Sequence, residues 1–247
     1  MTDPTPSTST PAEPSPARGK SLPARVVGVF VSPRATYADV AARPRWLGVL
    51  IISTLIVSGG YFAFLSTEVG KTAVLDQQTQ VLESFGVKLN DQAYERMEAG
   101  IENARYTTAA SQVVGVPLVS AIIAGILLGI FNALLGGDAK YKQVFAIVTH
   151  SGLITALQTA FSLPLDYMRE TMTSPTSLGV FLPFLEENSF LARLLGSIDL
   201  FQIWGTLSLA IGLGVLYKRR TSPIAWTMLL VYFVIVAAVA AIRSALS

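Results

Sequence analysis

The chain has 247 residues, 51% of them apolar and only 14% charged, with a mean hydropathy of +0.53. A soluble domain carries about 25% charged residues, so this composition excludes an ordinary water-soluble fold. A net charge of +2 gives no support to a nucleic-acid partner, and the lack of cysteine excludes disulfides and thiolate metal sites.

Residues 1–24 hold five prolines in the first sixteen positions, with many Ser and Thr. Such a segment cannot bury enough apolar surface to offset its ordering entropy, so it is expected to be a disordered tail. It lacks the apolar run of a secretory signal peptide. Next comes SPRATYADVAARPRW, where Ser32 is a good N-cap and Pro33 suits the first helical position. Tyr37, Val40 and Ala41 fall on one face, which predicts a short amphipathic helix lying on the membrane surface. Arg34, Arg43 and Arg45 then become candidate contacts to lipid headgroups, with Trp46 opening the interfacial belt.

Five apolar blocks are long enough to cross a hydrocarbon core, which takes about 20 residues. They cover roughly 46–66, 113–136, 143–164, 198–217 and 223–245, and the fourth is the weakest because it opens with Asp199 and Gln202. The expected fold is therefore all-α, a five-span helical bundle in a membrane domain over 25–247. Between the first two spans, residues 67–112 show helical spacing at Val74, Leu75, Val81, Leu82 and Phe85. Gly86 breaks that helix and Asn90 caps a second, acidic one, which together predict an extramembrane helical hairpin. Residues 165–197 read as an interfacial segment interrupted by Pro183, Glu186, Glu187 and Asn188, with Ser189 capping a final short helix.

Lys and Arg are unevenly distributed over the connecting segments. The side holding the N-terminal tail collects eleven basic residues against four acids, and the other side seven against twelve. By the positive-inside rule the N-terminus is cytoplasmic and the C-terminus outside. Lys218, Arg219 and Arg220 in the last basic turn are further candidate headgroup contacts.

Polar side chains inside a membrane are functional candidates, because desolvating them is costly. His150, the single histidine, lies about 12 Å into the third span and pairs in depth with Asn132. Gln158, Asp199 and Gln202 make an outer set. Interhelical hydrogen bonding is the plainer use of all five, and Asp199 could equally cap the fourth span. Gly125 and Gly129 form a GxxxG pair, expected to let helices approach closely; Ser208 and Gly212 share the spacing. No catalytic or phosphate-cradling motif occurs.

The ordered set VFVSPRATYADVAARPRW, the polar helical insert, GGDAKYKQVFAIVTHSGL and SIDLFQIWGTLSLAIGLGVLYKRRTSPIAW, over about residues 25–245, resembles the bacterial branch of the Yip-domain family of polytopic membrane proteins. The resemblance implies five helical spans with a cytoplasmic N-terminus. Eukaryotic relatives act in membrane traffic with Rab GTPases, but their Asp-Leu…Gly-Pro signature is absent here. Together these readings predict a non-enzymatic protein of the bacterial cytoplasmic membrane, without cofactor or metal, that organises membrane components. Its expected partners are the lipid bilayer, other membrane proteins or a second copy of itself. The rival reading is a small transporter or channel using the intramembrane polar residues.

Overall fold

The computed structural model describes residues 19–182, 184–186 and 189–246. Most of the sequence-assigned tail, together with Pro183, Glu187 and Asn188, therefore lies outside the described residues. Among the described residues the fold is all-α, with a single isolated β-bridge between Ser177 and Asp199.

Two ten-residue helices open it, α1 (Leu22–Val31) and α2 (Pro33–Ala42). Helix α1 begins within the stretch that the sequence assigns to the tail: Ser21 caps it by accepting from the Ala24 N–H. Helix α3 (Leu47–Phe64) carries no charge, and its backbone ladder pairs its main-chain polar groups within the helix. It turns sharply into α4 (Glu68–Ser84), where Thr67 accepts from the Gly70 N–H at 3.0 Å. Gly70 is obligatory there, since a Cβ would stand 2.0 Å from the Phe64 carbonyl oxygen.

Gly86 takes φ +77 and ends the first polar helix, and Asn90 accepts from Ala93 N–H at 2.8 Å to start α5 (Asp91–Ile101). Both boundaries match the sequence reading. Helix α6 (Ala104–Leu128) starts nine residues before the expected span and ends in a π-helical turn, Gly129–Leu134. Helices α7 (Tyr141–Ser151) and α8 (Leu153–Arg169) follow one another through Gly152 as the third span. The short α9 (Phe190–Gly196) is capped by Ser189, as expected. Helices α10 (Leu200–Leu216) and α11 (Thr221–Leu246) complete the chain.

Four helical stretches are long and apolar enough to cross a membrane: α3, α6 with its π turn, α7–α8 and α11. The remaining block, expected as a span over 198–217, forms α10, which at 17 residues is shorter than these. Helix α3 packs against α6 and α8, α7 against α6 and α10, and α10 against α11. The third span is the central one: 61% of its apolar window is buried, against 11% for α6 and 17% for α11.

Helix α2 corrects the sequence reading. Its apolar face, expected to meet lipid, is covered by protein: it is wedged between α7 and α10, with Tyr37 and Val40 at 0% exposure. The physical reason is room made far along the chain. A Cβ on Gly212 would stand 2.5 Å from Ile147 Cγ2 and 3.1 Å from the Tyr37 ring, so glycine there opens the notch that the tyrosine fills.

Candidate functional site

The most elaborate polar cluster joins α1 and α2 to the start of α3. Arg25, in α1, is 2% exposed. A buried guanidinium is tolerated only when a carboxylate and further acceptors satisfy it, and here all three nitrogens are used. Nε donates to Asp39 Oδ2 at 2.8 Å, Nη2 to the Arg43 carbonyl at 3.0 Å and Nη1 to the Arg45 carbonyl at 3.3 Å. Those carbonyls belong to the C-terminal end of α2 and the segment leading to α3, where a cation also meets the negative end of the helix dipole.

Asp39 serves more than one partner. Its Oδ1 accepts from the Lys20 backbone N–H at 3.3 Å and lies 3.6 Å from Arg43 Nη1. Lys20 Nζ donates to Thr36 Oγ1 at 2.8 Å, and that hydroxyl sits against Gly28, where a Cβ would stand 2.3 Å from it. A second bond pins α2 from the other side: the Tyr37 hydroxyl and Ser208 Oγ lie 2.7 Å apart in a buried contact with α10. Ser208 and Gly212, one turn apart, form the notch for the tyrosine ring. Helix α2 thus acts as a wedge, fastened to α1 and the α3 entry by charge and to α10 by shape.

The sequence-selected polar residues have other, separate uses. His150 is 0% exposed; its ring Nδ1 lies 2.7 Å from the Ala146 carbonyl of its own helix. That contact requires the proton on Nδ1, which leaves Nε2 as a buried acceptor without a partner. His150 and Asn132 do not meet. Asn132 instead holds the turn between α6 and α7, its Nδ2 donating to Ala139 O at 2.8 Å while its Oδ1 accepts from Tyr217 at 3.0 Å.

The outer set does not assemble either. Asp199 caps α10, with Oδ1 accepting from Phe201 N–H at 2.8 Å and Gln202 N–H at 3.3 Å. Its Oδ2 accepts from the Ser174 and Thr176 hydroxyls, which ties the preceding loop to the helix end. The Gln202 side chain is exposed and Gln158 is half-buried on α8.

Gly125 and Gly129 lie on the outward side of α6, where an added Cβ meets no atom within 4 Å. The close approach that their spacing predicts has no partner inside the chain; Ser208 and Gly212 have one in Tyr37. Among the proposed headgroup contacts, Arg34 is exposed and donates to Thr221 Oγ1 at 3.3 Å, while Arg45, Lys218, Arg219 and Arg220 are exposed.

Sequence reasoning counted Arg25 only as one basic residue among many. A signal was present: Asp39 is the only acid between Glu13 and Glu68, a stretch that holds six Lys or Arg. A lone carboxylate among so many cations has its partner chosen by the fold.

The ordered helices and the wedge give a context for comparison with known proteins. The Yip1 domain family model matches residues 27–242. The chain belongs to the Yip1 domain family. This match covers every helix from α2 to α10 and nearly all of α11, and it makes the four long apolar helices those of a multi-pass membrane protein. The chain is also similar to membrane protein YknW of Bacillus subtilis (strain 168), 25% identical over 189 residues, which is 75% of either chain. No solved structure matches. For this Yip1 domain chain, the wedge of α1 and α2 is therefore the candidate functional feature, and Arg25, Asp39, Tyr37 and Ser208 are the residues that hold it.

Proposed function

We propose that this protein is a non-enzymatic organiser of membrane components. It crosses the bilayer five times, with its tail cytoplasmic, its C-terminus outside and α4–α5 standing outside the membrane. Helix α10 counts as the fifth crossing: 17 residues give about 26 Å, at the short end of what a span requires. The observation that carries the reading is how the internal polar groups are used. A transporter needs a water-reachable polar site near mid-membrane. Here Asp199 caps a helix, Asn132 holds a turn, and His150 is sealed at 0% exposure in the most buried span. Two hollows, between α3 and α8 and at the basic turns, are lined by neither His150 nor Asp199.

By contrast, α6 and α11 leave most of their apolar surface open to lipid or to another membrane protein. The similarity to a protein named only for its membrane location fits this role. Reconstitution into sealed vesicles tests it. The organiser reading predicts no proton or solute flux above that of empty vesicles, for the native chain and for His150→Ala alike. A flux that disappears in His150→Ala would establish the transporter reading instead.

A further inference from the structure

The two turns on the basic side of the bundle meet around a small hollow of about 140 Å³. Its floor is a stacked pair of rings, Phe131 and Tyr217, with centroids 4.6 Å apart. One wall is the backbone of Gly136 and Gly137; Gly136 has φ +67, and a Cβ on Gly137 would stand 2.5 Å from the Tyr217 ring. Lys218 and Arg219 form the rim, and Arg219 Nη2 donates to the Leu135 carbonyl at 3.1 Å, bridging the two turns.

Two features of this hollow go beyond scattered surface charge. Lys140, Lys218, Arg219 and Arg220 in these turns and Lys142 at the start of α7 stand with one acid, Asp138, yet none of the five forms an ion pair among the described residues. Lys218 also takes φ +52 as the left-handed residue that ends α10, a place glycine fills more easily, with the Arg219 N–H closing the helix on the Gly214 carbonyl at 2.9 Å. A helix end that fixes an unpaired cation at the mouth of a hollow offers a place for an anion. Exposed Leu134 and Leu135 lie beside it, so the site has a polar mouth and an apolar flank.

We propose that this hollow binds the phosphate of an anionic phospholipid, with Lys218 and Arg219 on the phosphate oxygens and the acyl chains along the exposed end of α6. Basic pockets between membrane helices select such headgroups. Asp138 on the rim disfavours a doubly charged phosphate monoester and leaves a singly charged phosphodiester as the fitting ligand. The inference deepens the organising role and rests on that reading only in taking its ligand from the bilayer; a flux in vesicles would leave it standing.

Native mass spectrometry on the full chain, released from nanodiscs containing equal phosphatidylglycerol and phosphatidylcholine, tests the site. The native chain should retain phosphatidylglycerol. Lys218→Gly removes the cation and relieves the left-handed strain, so retention should fall about fivefold, the contribution of one lysine near an anionic surface, while the melting temperature holds or rises. Lys218→Asn, which also tolerates that backbone, should lose lipid equally and guards against a folding artefact in the glycine variant. Undiminished retention in both variants overturns the proposal. So does displacement of the lipid by millimolar inorganic phosphate, which would assign the hollow to a soluble anion.

Discussion

The side chain that most constrains this protein is Arg25. Its guanidinium is withdrawn from water, and among the described residues Asp39 is its only carboxylate partner. Removing one member of such a pair leaves an uncompensated buried charge, which costs about 3–5 kcal/mol, whereas replacing both with apolar groups of similar volume is often neutral. Asp39→Asn should therefore lower the melting temperature in mild detergent sharply, and Arg25→Met with Asp39→Leu should recover most of the loss. An unaltered melting temperature in Asp39→Asn would show that the pair does not hold the wedge. The neighbouring Tyr37–Ser208 contact is a neutral pair. Tyr37→Phe should cost only about 1 kcal/mol, measured in the same assay, because the ring still fills its notch.

At the scale of elements, glycines of identical spacing play opposite parts. Gly212 is enclosed, and even a methyl group would collide with Ile147 and Tyr37. Gly212→Ala should destabilise by about 1–3 kcal/mol through overpacking. Gly125 is open on every side that a methyl group could occupy, so Gly125→Ala should leave stability unchanged or raise it by up to about 1 kcal/mol. Thermal melts of the two variants side by side check the contrast.

Sequence spacing alone could not separate these glycines, because the difference is made by α2, whose chain position is some 170 residues from its partner on α10. Caps and breaks were legible, since they act within a few residues: Gly86, Asn90 and Ser189 all stand where local rules put them. The placement of α2 was not. Ten residues with a few apolar positions fit a membrane surface and a protein groove equally well, and only Ser208 and Gly212 decide between them.

For the molecule as a whole, the hydropathy pattern located the four helical stretches long and apolar enough to cross a membrane, because the bilayer imposes length and composition on a crossing helix more strictly than any soluble core does. The polar residues within the apolar blocks were harder to assign. His150, Asn132 and Asp199 were grouped by depth along the chain, yet His150 bonds within its own helix, Asn132 joins its turn to Tyr217, and Asp199 ties the 174–176 loop to the start of α10; depth says nothing about which way a side chain faces. The central claim is an odd number of crossings, and it rests on α10 reaching across the bilayer.

Since the native chain has no cysteine, a single introduced thiol reports its own side without interference. The decisive measurement is labelling by a membrane-impermeant maleimide on intact cells, for Ser7→Cys, Lys142→Cys, Ala99→Cys and Ala245→Cys in turn. Ala99→Cys and Ala245→Cys should label from outside, and Ser7→Cys and Lys142→Cys only after permeabilisation. If Ser7→Cys and Ala245→Cys react from the same side, the crossings are even in number and α10 does not span.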